Sequence, residues 1–519
     1  MKTTTQQTIL ITGATDGIGL ALARHYAGLG ARLILIGRRP LATLDDPLFT
    51  PHTYCQIDLA APGFTPDLTA WLAEREINTL DWVLLNAATG YIGDLADQPI
   101  DQVRRLLWTN LWANLELTRM LIPKVTAPEG AIAYISSVVV SLPSPDYAVY
   151  TASKAALESF VRNLRSELRA EGNPLRLLIV RPGATQTGLH VKSVLSGEPL
   201  NTAHFAQAEQ VAAQIATALT RRPQTVTLGL IGKITYWAGR LAAGPMQAAL
   251  RRRRAAPVGD PAPPHVAITG AAGGIGHALA LRFAAAGYRI TAIDIDRARL
   301  DALAAELAPT GVQTTTHVAD LTQPDGCLRL IAELATQPPI TVWIHNAGIS
   351  AVGPFTQQPL EPQQAVVELN LMAPLCLTVG LAAQTAQPIP RSLVYISSLS
   401  VYVGYPGAAV YAATKEGVAS FAASLRALAA PTQQHILTVY PGPTRTEHAA
   451  RYSPDNRNAH RRMDPAHLAD RIFVAVTRRQ AQLLPGFSAR AMAAVGSLAP
   501  GLMALIMRRT LYAKLRALP

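Results

Sequence analysis

The sequence predicts an α/β protein made of two doubly wound parallel sheets in tandem. Three observations carry this. Short, continuous apolar runs alternate with longer stretches of helical period, as parallel strands covered on both faces do. One series of chemically capable residues occurs twice. Gly13, Asn86, Asn110, Ser137, Tyr150, Lys154 and Pro182 are matched by Gly270, Asn346, Asn370, Ser398, Tyr411, Lys415 and Pro441. The spacing between copies is nearly constant: 257 residues from Gly13 to Gly270, 261 from Tyr150 to Tyr411 and 259 from Gly183 to Gly442. A repeat of that period means two domains, each large enough for a substantial core.

In the first copy the apolar runs place strands at 8–12, 32–36, 82–85, 131–135 and 175–180. In the second they place them at 265–269, 289–293, 341–345, 392–396 and 435–440. Residues 148–170 and 410–430 read as amphipathic helices. The expected domains are 1–254 and 265–519, joined by a Pro-rich, semi-stiff linker at 255–264. Each copy ends in an apolar tail interrupted by Gly and Pro, 228–250 and 491–507, followed by Arg251 to Arg254 and by Arg508-Arg509. The second tail falls short of the roughly 20 apolar residues of a membrane span. Two places suit the tails: over the substrate cleft or partner domain, or in the plane of a membrane, where basic residues beside apolar surface meet anionic headgroups.

Charged residues make up 15% of the chain, against roughly 25% in an ordinary soluble protein. Hydrophobic residues reach 49%, and the mean hydropathy is +0.18. The net charge is +12. No nucleic-acid module or aromatic–basic interleaving accompanies it, so nucleic acid is excluded as the expected partner. Cys55, Cys327 and Cys376 lack any pairing or metal-binding spacing and read as free buried thiols. The first strand begins by Thr8, which leaves no room for a leader. The expected place is the cytoplasm, with the inner face of a membrane as a peripheral contact.

The chemistry starts at two glycine loops, Thr12-Gly13-Ala14-Thr15-Asp16-Gly17-Ile18-Gly19 and Thr269-Gly270-Ala271-Ala272-Gly273-Gly274-Ile275-Gly276. Gly13 and Gly270 allow a tight turn after the first strand. Gly17 and Gly274 let the backbone approach a pyrophosphate, and Gly19 and Gly276 permit close helix–strand packing. The helix N-termini that follow offer free N–H groups to phosphate. The second constellation is Tyr150-x-x-x-Lys154 and Tyr411-x-x-x-Lys415, each with a serine 13 residues upstream. Positions i and i+4 share a helix face. A free phenol ionises near pH 10, and an adjacent ammonium is expected to bring it toward working pH. The serine hydroxyl can hold a carbonyl oxygen while tyrosine supplies its proton. This equipment suits hydride transfer between a nicotinamide and a carbonyl or alcohol carbon.

Over almost its whole length the chain resembles the short-chain dehydrogenase/reductase family, as two fused members with Rossmann-like domains. The resemblance implies that Tyr150 and Tyr411 are acid/base residues and that Lys154 and Lys415 also bind the nicotinamide ribose. It implies that Ser137 and Ser398 orient substrate and that Asn110 and Asn370 complete a proton relay through water. Asp58 and Asp320 match the adenine-contacting aspartate, and Asn86 and Asn346 the Asn-Ala segment after the fourth strand. Pro182-Gly183 with Thr187, and Pro441-Gly442 with Thr446, match the loop along the nicotinamide. The family's Asn-Asn-Ala-Gly reads Leu85-Asn86-Ala87-Ala88 in one copy and His345-Asn346-Ala347-Gly348 in the other, so the backbone at Ala88 departs from the pattern.

The copies differ at the end of the second strand. Asp294 can accept hydrogen bonds from ribose hydroxyls and repel a 2′-phosphate, which selects NAD(H). Gly37 stands in its place in the first copy and is followed by Arg38, with Arg39 as helper; guanidinium there suits a phosphate and selects NADP(H). The segments after the Pro-Gly loops differ too. Residues 188–200 carry few charges, whereas Arg445, His448, Arg451, Arg457, His460, Arg461 and Arg462 face only Glu447 and Asp455 in the second copy. That basic lid reads either as a site for an anionic substrate or as an ordinary solvated loop.

The expectation is a bifunctional NAD(P)-dependent oxidoreductase interconverting ketone or aldehyde and alcohol on an apolar or lipid-like small molecule. The two halves are expected to pair within the chain as a pseudo-dimer through the Tyr-x-x-x-Lys helices. Two other readings exist: one active copy with a structural partner, or a dinucleotide-sensing module without catalysis. Intact Ser, Tyr and Lys in both halves speak against both, because a sensor needs the glycine loop and not the proton relay.

Overall fold

The computed structural model describes residues 6–126, 129–193, 202, 204–239, 263–384, 389–432, 434–453 and 455–516. Arg251 to Arg254 and most of the expected linker, 255–262, lie outside the described residues.

The first half folds around seven parallel strands: β1 (Thr8–Thr12), β2 (Arg32–Gly37), β3 (Tyr54–Gln56), β4 (Trp82–Leu85), β5 (Ala131–Ile135), β6 (Arg176–Arg181) and β7 (Thr225–Thr227). Their order is β3-β2-β1-β4-β5-β6-β7. The second half repeats it with β8 (His265–Thr269), β9 (Arg289–Asp294), β10 (Thr314–Val318), β11 (Val342–His345), β12 (Ser392–Ile396), β13 (His435–Val439) and β14 (Gln482–Leu483), in the order β10-β9-β8-β11-β12-β13-β14. These are two Rossmann-like sheets in tandem. The direction of winding reverses between β1 and β4 and between β8 and β11, which opens a crevice at the carboxyl ends of the strands.

The apolar runs marked the five inner strands of each sheet to within a residue or two. They did not mark β3, β7, β10 and β14. The reason is physical: β7 and β10 lie at the sheet edge and are nowhere fully buried, so they carry Thr where inner strands carry Ile, Leu and Val. β3 and β14 are only three and two residues long.

The main helices of the first half are α1 (Gly17–Gly28), α2 (Phe64–Glu74), α3 (Ile100–Leu107), α4 (Ala113–Leu121), α5 (Ala148–Ala170), α6 (Gly188–Ser193) and α7 (Ala208–Arg221). Those of the second half are α8 (Gly274–Ala284), α9 (Arg297–Leu307), α10 (Pro324–Leu334), α11 (Leu360–Val367), α12 (Ala373–Ala383), α13 (Ser400–Val403), α14 (Ala409–Thr432), α15 (Glu447–Tyr452), α16 (Pro465–Thr477), α17 (Phe487–Leu498) and α18 (Pro500–Met507). Alternate strand residues point to opposite faces. Ile9 and Ile11 pack with Leu22, Tyr26, Val211 and Ile215 of α1 and α7, whereas Leu10 joins the opposite face with Leu68 of α2 and Phe160 of α5.

That opposite face merges with its counterpart in the second half. One contiguous apolar cluster runs from Leu10 through Phe160, Phe355 and Phe421 to Ile436. α5 packs along α14 at short range because the crossing is lined by small residues. A Cβ added at Gly417 would come within 3.2 Å of the Ala152 carbonyl oxygen and of the Ala156 Cβ. Polar links flank the crossing: Arg104 to Glu368 at 3.0 Å and Arg162 to Glu416 at 3.4 Å.

The helical stretch 360–383 is long and apolar enough to cross a membrane, but it is mostly buried inside the protein. The second tail is not a straight rod; its two helical parts, α17 and the stretch from Pro500 to Leu515, bend by 119°. It folds over α13, where Ala489, Ala493 and Met503 pack on Leu399 and Val403. Gly496 is needed there, since a Cβ would lie 2.1 Å from the Tyr402 carbonyl oxygen. This covers the segment after Ser398. In the first tail the helical stretch 230–239 leaves Leu230, Ile231, Ile234 and Trp237 exposed; residues 240–250 lie outside the described residues.

Glu368 is nearly buried, and Arg104 donates to both its carboxylate oxygens. Burial raises the Glu368 carboxyl above the usual carboxylate range, and Arg104 opposes that rise. Arg104→Met should therefore destabilise the chain by about 3 kcal/mol near pH 8, the cost of stranding a buried charge. A raised acid loses stability as pH climbs above its ordinary value. The deficit should shrink toward pH 5, where Glu368 of the variant holds its proton. Denaturant midpoints at the two pH values check this.

Candidate active sites

Both glycine loops form the turn that their spacing predicted. Gly13 and Gly270 are left-handed, with φ of +64° and +65°. A Cβ on Gly19 would stand 2.1 Å from the Gly13 carbonyl oxygen, and one on Gly276 would stand 1.9 Å from that of Gly270. Asn86 Nδ2 donates to the Thr12 and Gly13 carbonyls at 3.1 and 3.3 Å, and Asn346 does the same for Thr269 and Gly270 at 3.0 Å each. The two asparagines thus pin the turn. Thr12 and Thr269 complete the pin, their hydroxyls accepting from the N–H groups of Asn86 and Ala87 and of Asn346 and Ala347. Both threonines precede the first glycine, a signal present in the sequence and not used.

Ile18 and Ile275 are the second residues of α1 and α8. Neither helix has a side-chain N-cap, so the first-turn N–H groups have no side-chain acceptor. In the first half these N–H groups face a cavity of about 1080 Å³. Its lining runs from Gly17 and Ile18 past Asn86 to Ser137, Tyr150 and Lys154, and on to Pro182, Gly183 and Thr187. A dinucleotide fits this lining: uncapped helix N–H groups stand for the pyrophosphate, with Tyr and Lys at the far end. The Pro-Gly loops are anchored to the substrate side, Pro182 accepting from Val138 N–H and Pro441 from Leu399 N–H. Thr187 and Thr446 lie over Gly17 and Gly274, where any Cβ would collide or crowd at 2.7 and 3.1 Å.

The Ser-Tyr-Lys geometry is the same in both halves. Ser137 hydrogen-bonds the Tyr150 phenol and Ser398 the Tyr411 phenol. Lys154 Nζ and Lys415 Nζ each lie 5.7 Å from the phenol ring centre. Lys154 donates to the Ile135 carbonyl at 2.9 Å and Lys415 to that of Ile396 at 3.0 Å, tying α5 to the end of β5 and α14 to the end of β12. Both lysines are buried, and burial pushes them down to about 8.

The electrostatic expectation for the tyrosines needs correction. Burial, the leading cause, holds both phenols above their ordinary value, partly offset by the serine hydroxyls. The reason is desolvation: the same burial that brings lysine to tyrosine also removes the water that would stabilise phenolate.

Asn110 and Asn370 sit in single π-helical turns, Trp108–Trp112 and Glu368–Met372. Asn110 clamps the loop after β4, accepting from Thr89 N–H at 2.8 Å and donating to the Thr89 carbonyl at 2.9 Å. Asn370 clamps Ile349 likewise at 2.9 and 2.8 Å. The glycine missing at Ala88 is explained here. Its counterpart Gly348 has no left-handed backbone, and a Cβ there would press on Asn370 and Lys415 at 3.2 and 3.3 Å. A methyl group needs only a small adjustment of two polar side-chain ends.

At the adenosine end, Arg38 is exposed at the cavity rim with Asp58. Asp58 pairs with Arg105 at 2.5 Å, a residue that sequence reasoning missed because it is distant in the chain. Arg39 donates to the Thr43 carbonyl at 3.0 Å. Gly37 is sterically required, since a Cβ would lie 2.8 Å from the Thr15 methyl and 2.9 Å from the Tyr54 hydroxyl. In the second half Asp294 accepts from Ala272 N–H at 3.0 Å and Ile295 N–H at 2.8 Å, so its carboxylate is held at the loop. Asp320 accepts from the Thr322 N–H and hydroxyl.

A family model described as short chain dehydrogenase matches residues 7–196 and 264–457, one region in each half. The chain belongs to the short-chain dehydrogenase family. Among its curated relatives, the dehydrogenase/reductase SDR family member 7B of Bos taurus is 29% identical over 42% of this chain and 72% of its own length. The 1-deoxy-11-beta-hydroxypentalenate dehydrogenase of Streptomyces exfoliatus is 37% identical over 34% of this chain and 65% of its own. A solved short-chain dehydrogenase from Sphingobium yanoikuyae, in complex with NADPH, is 31% identical and covers 46% of this chain and 95% of its own, with a TM-score of 0.40. An N-terminal ketoreductase from a macrolactin assembly line shares the fold over 92% of this chain and 86% of its own, with a TM-score of 0.56 and 15% identity. As a short-chain dehydrogenase the protein is an NAD(P)-dependent oxidoreductase of the alcohol–ketone class.

Two arginines of the basic lid in the second short-chain dehydrogenase copy are paired with acids. Arg445 pairs with Asp464, and both Arg457 and Lys514 pair with Asp455 at 2.9 Å. Arg462 donates to the Asp455 carbonyl and Asn456. His448 is the lid residue that reaches the chemistry. Its ring lies 6.4 Å from that of Tyr411, and burial, then Lys415 and Arg451, lower it to about 4, so it stays neutral. Residues 194–200 of the first lid lie outside the described residues.

The lysine shifts have a testable consequence. A lysine lowered from 10.5 to about 8 binds its proton less well folded than unfolded. Stability lost below pH 8 should return as pH rises toward 10. A chain carrying Lys154→Met and Lys415→Met should lack that rise. Denaturant midpoints of both chains from pH 8 to pH 10 check it.

Proposed function

We propose that the protein is a bifunctional dehydrogenase with one hydride-transfer site in residues 1–254 and another in 265–519, joined by the linker 255–264. One observation carries this reading: both halves hold Ser, Tyr and Lys in the same arrangement, down to the 5.7 Å between lysine Nζ and phenol ring. A bound nicotinamide supplies or accepts the hydride. In the direction of reduction, Ser137 and Ser398 hold the substrate oxygen, and Tyr150 and Tyr411 pass it a proton. Lys154 and Lys415 hold the ribose and keep the tyrosine in place. Asn110 and Asn370 keep the wall of the site rigid. The contacts along α5 and α14 support an intrachain pseudo-dimer of the two domains.

The first site takes NADP(H) and the second NAD(H). Arg38 at the cavity rim supports the first assignment, and the carboxylate of Asp294 supports the second. The substrate is an apolar or lipid-like ketone or alcohol, and the inner face of a membrane is where the protein would meet it. Leu230, Ile231, Ile234 and Trp237 in one half, and Phe487, Leu498 and Leu502 in the other, are exposed on the tail helices. Flotation with vesicles of anionic lipid should carry the protein upward, and Trp237→Ser with Ile231→Ser should weaken this.

The test uses acetophenone, 2-decanone and a steroid 3-ketone with each cofactor. Tyr150→Phe should leave only NADH-linked turnover and Tyr411→Phe only NADPH-linked turnover. In the Tyr411→Phe chain, Arg38→Ala should lower NADPH affinity about ten- to a hundredfold, the worth of one charge-assisted hydrogen bond, and spare NADH. An unchanged NADPH-to-NADH ratio would remove Arg38 from the reading.

A further inference from the structure

Besides the Arg104–Glu368 and Arg162–Glu416 pairs, the C-terminal part of α5 and the residue after it offer three acceptors to the second half. Asn163 and Glu167 on α5 and Glu171 just past its end stand one turn apart, and each reaches into the second half. Glu167 is fully buried, and each carboxylate oxygen accepts a backbone N–H of the second half: Gly407 at 2.6 Å and Phe355 at 2.9 Å. Asn163 Oδ1 accepts from Tyr405 N–H at 2.6 Å. Glu171 accepts from the Tyr512 hydroxyl at 2.7 Å, and a Cβ added at Gly407 would meet the Tyr512 ring at 3.2 Å.

These contacts converge on the loop that enters α14. Gly407 lies four residues before Tyr411, is left-handed at φ +85°, and accepts from Gly353 N–H at 2.7 Å. The Tyr405 ring stands edge-on to Tyr411 at 6.1 Å. Phe355 is clamped by Phe160 of α5 at 4.8 Å. The equivalent positions on α14, 261 residues on, are Ser424, Leu428 and Thr432. Ser424 Oγ accepts from Ser144 N–H at 3.2 Å, and Leu428, at the place of Glu167, has no polar side-chain atom to offer.

The geometry points to a one-way dependence: Glu167 of the first half, with Asn163 and Glu171, is a positioning residue for the second half's Tyr411, and the first half's Tyr150 has no comparable dependence on the second. This inference rests on the reading of Tyr411 as the second site's acid/base. A carboxylate suits the task because it can accept at both oxygens. Glutamine, nearly identical in shape, keeps one acceptor and turns a donor toward the other N–H. The loop then shifts to relieve that contact, and a displacement approaching 1 Å at a reacting group costs up to about a hundredfold in rate.

The experiment uses the full chain. In the Tyr150→Phe background, Glu167→Gln should lower kcat for the ketone reduced fastest with NADH by about ten- to a hundredfold. The dissociation constant for NADH, read by its fluorescence, should stay within twofold, because the glycine loop is remote from Glu167. In the Tyr411→Phe background the same substitution should leave NADPH-linked kcat within twofold. Hydrogen exchange of the full chain should quicken at 353–357 and 404–411 and not at the mirrored 93–97 and 143–150. Exchange that quickens everywhere would mean a general stabilising role and overturn the inference. So would a kcat that stays within twofold while Tyr411→Phe abolishes that turnover. If the Tyr150→Phe chain reduces none of the three ketones, or Tyr411→Phe leaves its turnover intact, the reading of a second working site falls, and this inference with it.

Discussion

Both sites depend on a lysine buried where it is expensive to bury one. Lys154 and Lys415 lie inside the protein with their ammonium groups tied to the last carbonyls of β5 and β12. Each desolvated charge needs that carbonyl, and the carbonyl in turn fixes how α5 or α14 sits on its sheet. The tyrosine one turn earlier is placed by the same anchor. Asn110 and Asn370 close the opposite wall. The π-helical turn that carries each of them puts an extra residue into the helix where the wall needs it, a feature found often at functional sites.

Duplication kept this anchor and changed what surrounds it. In the first half Glu158 is buried between Ser136 and Arg181, accepting from both, and its charge supports the proton on Lys154 against burial. The second half has Ala419 and Tyr440 at those positions. There Ser397 turns to the Lys415 backbone carbonyl. The second half adds a neutral imidazole, His448, near its tyrosine and a bent tail packed on Leu399 and Val403. The Ser-Tyr-Lys arrangement is therefore shared, and the residues around it are not. The interface follows the same pattern: α5 bears Lys154 in its N-terminal half and accepts backbone N–H groups of the loop before Tyr411 with its C-terminal half.

The sequence by itself determined the repeat, the inner strands, the glycine turns and the residues of both Ser-Tyr-Lys sets. These are local in nature: they rest on periodicity, on backbone freedom at Gly13 and Gly270, and on i to i+4 spacing along one helix. The tertiary structure decided everything that depends on residues distant in the chain. Edge strands β7 and β10 escaped the pattern because half-exposed strands need no continuous apolar run. Arg105 reaches Asp58, and Arg39 is drawn to Thr43, through folding that no spacing reveals. The phenols rise, against the expectation from their lysines, because burial is a property of the packed whole. Glu167 looks in sequence like one more charge on a helix. Only the packing of α5 on α14 shows that its two oxygens are spent on N–H groups of the other half, since hydrogen-bond partners far apart in sequence are settled by the fold.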